Sequence, residues 1–435
     1  MRVSVAALLV LATSTVVTCQ ENPRDRLRNA VLSSIHEATT KESRSLARRS
    51  TPLSWTLALG QTVQLNLGTP PQTFESLVDT GSPDTFVLGD QCMSFACLTG
   101  QQFNAPRSST FRPTTAAVQL HYADDTNVTG IAAQDVLTLD GQTLSNFTFA
   151  YIQHYEQENT VVATHSALLG MSFPLKGLMP GSPSIKPLGS STVQQLLGSN
   201  ITRFSFLPSF SGARKGRLTL NNTDFGTDVN TSAGTQWINL TAPVDTVYEA
   251  FWAPKCKSIT IAGATSPAQP LNDLPILLDT GTTFTILPGP IVTYLGTTLG
   301  GELAKFPSAE APIVYKIACA KAATMPNVVL ELNGVKVSVP ATAYVQNSFF
   351  SDGCIIGFVG TQGALGGSMG LVGMNVLRAF YTTWDFSARS VGFTPLADVP
   401  VPKGTIIESA ASTYTSSSFA SIASIAVASA LVMAW

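Results

Sequence analysis

The sequence predicts a mostly β protein made of two like lobes, and two observations support this fold class. From Ser50 to about Leu396 the chain consists of short alternating runs rich in Thr, Val and Phe, separated by Gly, Pro and Asn, as is typical of strands joined by turns. A six-residue stretch also occurs twice, as Leu-Val-Asp-Thr-Gly-Ser at 77–82 and as Leu-Leu-Asp-Thr-Gly-Thr at 277–282. Self-similarity at so long an interval indicates two copies of one lobe instead of a short-period solenoid.

Individual strands and turns can be assigned from local patterns. Residues 63–67 alternate as a strand does, and the runs 136–139 and 328–332 are each followed by a dipeptide that favours a hairpin turn, Asp-Gly and Asn-Gly respectively. Helical patterns are few, and residues 192–197 form one short candidate. We place the lobe boundary between Asn221 and Asn239, which gives an N-terminal lobe at 50–235 and a C-terminal lobe at 236–398.

Each copy of the repeated stretch offers a carboxyl group on a tight turn. Two apolar residues bury a strand end, Asp79 or Asp279 follows, and a Gly two positions later lets the backbone turn. The repeat extends downstream, because a Leu-Leu-Gly-Met run ends at 171 and a Leu-Val-Gly-Met run ends at 374. Two like lobes that face each other would bring the two Asp side chains together. Two carboxyl groups in contact share one proton, so that one can act as a base and the other as an acid.

With these motifs the sequence resembles the pepsin-like aspartic peptidases over about residues 59–397. The resemblance also includes Leu-Gly-Thr-Pro-Pro-Gln at 67–72, a candidate flap at 120–131 and a closing segment at 373–393. It implies the bilobal pepsin-like acid protease fold, with two pseudo-twofold-related β lobes and the active-site cleft between them. It further implies a secreted, GPI-anchored, fungal-type member that acts on polypeptide substrates at acid pH, as a monomer without cofactor or metal.

The resemblance assigns a role to each residue of the two turns. Asp79 and Asp279 would be the catalytic pair. The neighbours would support them by bonding the outer carboxylate oxygens (Ser82 and Thr282), by locking the turns together (Thr80 and Thr280) and by turning backbone N–H groups toward the carboxylates (Gly81 and Gly281).

The flap and the substrate pocket are also assigned by resemblance. Tyr122 would lie on a flap that closes over substrate and excludes water, although a lone Tyr in a strand is more often a packing residue. Leu77 and Leu168 would line the pocket beside the scissile bond. Phe86 stands where the family often has a Trp that hydrogen-bonds the flap Tyr, and Phe cannot make that bond.

Length and charge limit the possible functions. The 435 residues are enough for two domains and a large core, and a charged fraction of 12% with a net charge of −2 gives no sign of a nucleic-acid partner. The charge is uneven, because residues 1–49 carry eight Lys and Arg against four acidic residues. A basic leader therefore precedes an acidic body.

The leader reads as two segments. Residues 1–19 have an early Arg, an apolar run and small residues before Gln20, which indicates a signal peptide; a membrane anchor is the alternative, but the run is shorter than about 20 apolar residues. Residues 20–49 are polar and end in Arg48-Arg49, which indicates a propeptide removed by a processing protease. The alternative is a disordered tail in which the Arg pair occurs by chance.

Secretion would expose the cysteines to an oxidising compartment. The resemblance pairs Cys92 with Cys97 and Cys319 with Cys354. A zinc site is disfavoured because His and Cys residues do not stand at ligand spacing. For Cys256 we favour a buried small residue in a strand over a nucleophile, since no His lies nearby in sequence.

Glycosylation and anchoring follow from two further patterns. Six sequons predict exposed loops, at Asn127, Asn146, Asn200, Asn221, Asn230 and Asn239. Residues 399–435 form a Ser/Thr-rich linker and an apolar end, which fits a GPI-anchor signal and hence a cell-surface protein. A disordered tail on a soluble secreted protein is the alternative.

Three functions compete on this sequence. The leading hypothesis is an aspartic endopeptidase secreted as a zymogen and active at acid pH. The second is a catalytically silent surface binding or inhibitor protein with the same fold, against which the two intact Asp turns argue. The third is a glycosidase, which would need its two carboxyl groups about 5 Å or more apart.

Overall fold

The computed structural model describes a large part of the chain between residues 61 and 397. The described residues are 61–122, 126–157, 166–174, 187–209, 216–221, 229, 234–240, 247–264, 269–305, 312–347, 353–361 and 369–397. The predicted signal peptide, the propeptide with Arg48-Arg49, the tail from residue 399 and Asn230 lie outside these residues. None of the helices in the described part is long and apolar enough to cross a membrane.

The N-terminal part of the described chain forms a seven-stranded sheet in the order β1-β2-β7-β3-β6-β5-β4, in which β1 also pairs with β5. Its strands are β1 (Thr62–Leu67), β2 (Gln72–Asp79), β3 (Phe86–Leu88), β4 (Arg112–His121), β5 (Thr126–Leu139), β6 (Gln142–Gln157) and β7 (Ala167–Gly170). The predicted β5–β6 turn is present, with the left-handed backbone of Asp140 (φ 48°) and Gly141 (φ 71°) that this dipeptide allows.

The C-terminal part forms a ten-stranded sheet whose main path is β14-β15-β19-β13-β20-β12-β11-β16-β17, with β18 paired to β19. Its strands are β11 (Lys255–Ile261), β12 (Gln269–Leu278), β13 (Thr285–Pro288), β14 (Glu302–Leu303), β15 (Ile313–Ile317), β16 (Val328–Leu332), β17 (Val335–Val339), β18 (Val345–Asn347), β19 (Cys354–Thr361) and β20 (Gly370–Val372). Asn333 and Gly334 form the predicted turn between β16 and β17, both at positive φ.

A third sheet has five strands in the order β10-β22-β21-β8-β9. They are β8 (Arg203–Leu207), β9 (Arg217–Leu220), β10 (Gln236–Asn239), β21 (Phe380–Asp385) and β22 (Ser390–Pro395), so the sheet takes strands from both sides of the expected boundary at 235. The stacked rings of Phe204 and Trp384, 5.5 Å apart, pack here with the indole of Trp252.

Short helices complete the described fold. They are α1 (Phe95–Thr99), α2 (Thr192–Gly198), α3 (Gly289–Thr298), α4 (Ala341–Tyr344) and α5 (Met374–Leu377). The predicted helix at 192–197 is α2, and it begins with a capping box in which the Ser191 hydroxyl accepts from the Gln194 N–H and the Gln194 side chain accepts from the Ser191 N–H.

The two large sheets share one pattern around their Asp turns. In the first, β2 runs parallel to β7 and β7 runs antiparallel to β3. In the second, β12 runs parallel to β20 and β20 runs antiparallel to β13. The strand that ends at an Asp therefore has the same neighbours in both halves. The prediction of a mostly β, bilobal pepsin-like fold is confirmed.

Candidate active site

The two repeated Asp residues occupy equivalent places in the two halves. Asp79 is the last residue of β2 and is 5% exposed, and Asp279 directly follows β12 and is 2% exposed. Each strand end is held by a parallel neighbour, since Asp79 pairs with Gly170 and Leu278 pairs with Val372. Both carboxyl groups are thereby buried at strand ends, as the repeated pattern of apolar residues before each Asp predicts.

Within each turn the same two groups hold the carboxyl. The N–H of Gly81 donates to Oδ1 of Asp79 at 2.8 Å, and the Ser82 hydroxyl donates to Oδ2 at 2.5 Å. In the second turn the corresponding donors to Asp279 are the Gly281 N–H at 2.8 Å and the Thr282 hydroxyl at 2.5 Å. The supporting hydrogen bonds expected from the resemblance are therefore present.

Thr80 and Thr280 join the two turns to each other. The N–H of Thr80 donates to the Thr280 hydroxyl at 3.0 Å, and the N–H of Thr280 donates to the Thr80 hydroxyl at 2.9 Å. Each hydroxyl then donates to the main chain of the opposite turn, from Thr80 to the carbonyl of Leu278 at 2.8 Å and from Thr280 to that of Val78 at 2.7 Å. These four reciprocal bonds fix the spacing of the two strand ends.

The two glycines allow the carboxyl groups to approach. A Cβ added at Gly81 would lie 2.7 Å from the carboxyl carbon of Asp279, and one added at Gly281 would lie 2.5 Å from Oδ1 of Asp79. Both distances are shorter than any ordinary contact, so each turn needs Gly beside the opposite carboxyl. Asp79 and Asp279 also share a hydrogen bond. This arrangement is too close for the paired carboxyl groups of a glycosidase.

Electrostatics in the pair favour a shared proton. Burial raises the pKa of Asp79 well above its ordinary value, and the charge of Asp279 and the hydrogen bond with it raise that pKa further. The hydrogen bonds from Ser82 and Gly81 oppose this shift. Burial and the nearby charge of Asp279 therefore favour the protonated form of Asp79.

A second pair of threonines belongs to the site and was missed from the sequence. Thr85 and Thr285 each stand six residues after an Asp, and their hydroxyls accept from the N–H of Gly170 at 3.2 Å and of Gly373 at 3.3 Å. Each hydroxyl thus fixes the strand that runs beside the Asp. The sequence did contain this signal, because both copies have a Thr four residues after the Gly of Asp-Thr-Gly.

The flap prediction corresponds to the hairpin of β4 and β5. Tyr122 follows β4, and its N–H donates to the carbonyl of Thr126 at 2.8 Å across residues 123–125, which the structure leaves undescribed. Its ring packs at a tilt on Phe86, with centroids 5.9 Å apart, so Phe86 meets the tyrosine through ring contact where a Trp would donate a hydrogen bond.

The predicted pocket residues belong to a distinct apolar cluster. Leu77 and Leu168 are paired across β2 and β7 and are both buried. We call this the flap cluster; Tyr122 and Leu188 pack against it, and its buried members are Leu77, Phe86, Leu88, Cys92, Ala96, Cys97, Val118, Leu120, Val128, Ala132, Ala150, Ile152, Tyr155 and Leu168.

The cysteines behave as expected. Disulfides join Cys92 to Cys97 and Cys319 to Cys354. Cys256 is free and buried, and burial raises the pKa of its thiol to about 12, so it is not a thiolate nucleophile. The interpretation of Cys256 as a buried small residue is confirmed.

The sequons require a correction. Asn127, Asn146 and Asn239 lie in strands β5, β6 and β10 and not in loops, because the Thr, Val and Phe residues around them favour strands. Asn127 is also partly buried, whereas Asn146, Asn200, Asn221 and Asn239 are exposed.

Comparisons with known proteins agree with this geometry. A family model described as eukaryotic aspartyl protease matches residues 62–396. Pepsin-2B from Gadus morhua is 26% identical over 337 residues, which cover 77% of this chain and 95% of the relative. Gastricsin from Cavia porcellus is 27% identical over 342 residues (77% and 79%), and cathepsin D from Gallus gallus is 26% identical over 339 residues (76% and 79%).

Fold and site together define a bilobal protein in which the Asp turn of one half contacts the Asp turn of the other. The chain belongs to the eukaryotic aspartyl protease family, so the resemblance to the pepsin-like peptidases is confirmed. Membership of a protease family implies polypeptide substrates. The fungal-type and GPI-anchored details stay predictions.

Proposed function

We propose that the protein is an aspartic endopeptidase that hydrolyses peptide bonds at acid pH, with Asp79 and Asp279 as its catalytic pair. The observation that carries this proposal is the close approach of the two carboxyl groups, which only glycine at 81 and 281 permits. Each carboxyl group is also held by a Gly N–H and a hydroxyl. Like charges this close cannot both ionise, so the pair holds one proton at acid pH.

With one proton on the pair, the ionised carboxyl group can act as a base and the protonated one as an acid. A water molecule between the carboxyl groups gives a proton to the ionised one, and its oxygen forms a bond to the carbonyl carbon of the substrate. The protonated carboxyl group gives its proton to the carbonyl oxygen. The tetrahedral intermediate then collapses as the C–N bond breaks and a proton moves to the leaving amine. Above the pKa of the pair the acid is lost, so the rate falls as pH rises.

The remaining predictions complete the proposal. The basic segment at 20–49 suits a propeptide that covers an acidic cleft until a processing protease cuts at Arg48-Arg49. The signal peptide at 1–19 and the tail at 399–435 suit a secreted protein held at the cell surface by a lipid anchor. Tyr122 is the flap residue of this proposal, and Leu77 and Leu168 line its substrate pocket.

The test uses the processed protein and a denatured polypeptide at about pH 4, where a carboxyl pair of this kind holds one proton. We expect cleavage that a statine-type transition-state inhibitor blocks. Asp79→Asn and Asp279→Asn should each lower kcat/KM by about 10⁴-fold, since each removes an acid–base group that acts as part of a unit. Asp273→Asn is the control, because it removes an exposed carboxyl group from β12, the strand that ends directly before Asp279.

Two outcomes would contradict the proposal. A protein that binds the inhibitor but cuts no polypeptide would be a binding protein with this fold. A rate that peaks above neutral pH would exclude a shared proton as the working state.

A further inference from the structure

Another buried carboxyl group, that of Asp84, lies five residues after Asp79 and has no part in the proposed hydrolysis. Asp84 is 4% exposed. A Cβ added at Gly170 would lie 2.5 Å from the carbonyl oxygen of Asp84 and 2.6 Å from its nitrogen, so the two backbones are in tight contact. Since Gly170 pairs with Asp79, the position of Asp84 is fixed relative to the catalytic turn.

The carboxyl group of Asp84 reaches a segment that returns to the site from elsewhere in the chain. Its Oδ1 accepts a hydrogen bond from the N–H of Leu188 at 3.3 Å. The residues on either side hold the same segment, because the Pro83 carbonyl accepts from the N–H of Thr192 at 3.2 Å and the hydroxyls of Thr85 and Thr192 bond at 2.7 Å. Three consecutive residues of the catalytic turn therefore hold residues 188–192.

Leu188 connects this anchor to the apolar surface beside the catalytic pair. Its side chain is partly buried and packs against the flap cluster, to which Leu77, Phe86 and Leu168 belong. Leu77 is two residues before Asp79, and Leu168 is its partner on β7. A shift of the backbone at Leu188 would change the shape of this surface.

The equivalent position in the other half carries no carboxyl group. Phe284 occupies the position of Asp84, since a Cβ added at Gly373 would lie 2.4 Å from the Phe284 carbonyl oxygen. There the helix α5 begins at Met374, directly after Gly373, whereas α2 begins 22 residues after Gly170. The turn itself thus forms without a carboxyl group, and the carboxyl group is found where an additional segment must be held.

We propose that Asp84 is a positioning residue for substrate selection, which fixes Leu188 as one wall of the pocket for the substrate side chain next to the scissile bond. This inference depends on the proposed peptidase function. Burial raises the pKa of Asp84 to about 6, so at acid working pH the group is neutral and binds Leu188 through a carboxyl oxygen. An Asn side chain offers an oxygen of the same reach.

The first experiment measures kcat and KM at about pH 4 for two peptides that differ at one position, with Leu or Ala before the cleaved bond. Loss of one apolar wall of a pocket changes the ratio of the two kcat/KM values by about 10-fold. Asp84→Ala and Leu188→Ala should each lower the preference for Leu over Ala by about that factor, mainly through KM. Asp84→Asn should keep the wild-type preference within about 2-fold, since its oxygen still accepts from Leu188.

The double variant Asp84→Ala/Leu188→Ala decides whether the two residues act together. We expect it to be no less selective than Leu188→Ala alone, because the carboxyl group acts through that side chain. Effects that multiply, or an Asp84→Ala enzyme that loses kcat equally on both peptides and keeps its preference, would overturn the proposal. If Asp84→Ala does not fold, Asp84→Ser takes its place, since its hydroxyl is too short to reach Leu188.

The second experiment needs no catalysis. Hydrogen exchange at the Leu188 amide should be faster in Asp84→Ala than in the wild type and unchanged in Asp84→Asn. An unchanged rate in Asp84→Ala would refute the anchor even if the protein is an active peptidase. A wild-type protein that cleaves nothing would instead refute the proposed function, while faster exchange would still support the contact between Asp84 and Leu188.

Discussion

The two Asp turns are alike where they hold their carboxyl groups and different in what surrounds them. Both have a Gly N–H and a hydroxyl on the Asp, and a Thr hydroxyl behind the neighbouring strand. The N-terminal turn alone is followed by a buried carboxyl group, at Asp84, where the C-terminal turn has Phe284. The flap hairpin also belongs to the N-terminal sheet. The proposed hydrolysis depends on the shared parts, and the proposed substrate selection depends on the unshared parts.

The strongest test of this equivalence is to fill the space that the glycines leave. Gly81→Ala and Gly281→Ala each place a methyl group in contact with the opposite carboxyl group. Both should lower kcat/KM by about 10³-fold, because displacing a reacting group by about 1 Å already costs about 100-fold. Gly198→Ala is the control, since nothing lies within 4 Å of its added Cβ. A large loss in only one of the two would show that the turns are not equivalent.

The reciprocal threonine bonds give the next largest effect. Thr80→Val and Thr280→Val each leave a buried N–H and a buried carbonyl without their partner. Each should lower the free energy of unfolding by about 4 kcal/mol, at about 2 kcal/mol for each orphaned group. Urea denaturation at acid pH measures this, with Thr80→Ser as the variant that keeps the hydroxyl. If the losses in free energy of unfolding of the two variants differed by more than a factor of two, the two turns would not be equivalent.

Features that depend on neighbouring residues could be predicted from the sequence, whereas features that depend on residues far apart in the chain could not. The Asp140-Gly141 and Asn333-Gly334 turns were predicted because each needs only its own residues to adopt positive φ. The two Asp turns were predicted because the sequence repeats. Asp84 was not singled out, since its burial depends on Gly170 and on Leu188, which lie 86 and 104 positions away. A sequon alone predicts a loop, so it does not reveal that Asn127, Asn146 and Asn239 lie in strands.

The two disulfides differ in the length of the loop that each one closes. The bond in the N-terminal half spans 5 positions and the one in the C-terminal half spans 35. Because closing a longer loop removes more entropy from the unfolded chain, replacing Cys319 and Cys354 by Ala should cost about 4 kcal/mol, against about 2 kcal/mol for Cys92 and Cys97. Denaturation of the two double variants side by side gives both values, and equal values would contradict the loop-entropy explanation.

The last expected effect depends on pH. The pKa of Asp84 is about 6 in the folded protein and its ordinary value is 3.8, so the folded state binds this proton more tightly. The free energy of unfolding should therefore fall as pH rises from about 4 to about 6, by up to about 3 kcal/mol from this group. An Asn side chain does not ionise, so the Asp84→Asn variant should not show this decrease. Its free energy of unfolding relative to the wild type should therefore rise between those pH values. A difference independent of pH would contradict the raised pKa.

The threonine bonds also restrict how the two turns can move. Pulling the two turns apart would break all four bonds at once. We therefore expect any opening that admits a polypeptide to take place away from these turns, while the bonds keep the spacing of the two carboxyl groups unchanged.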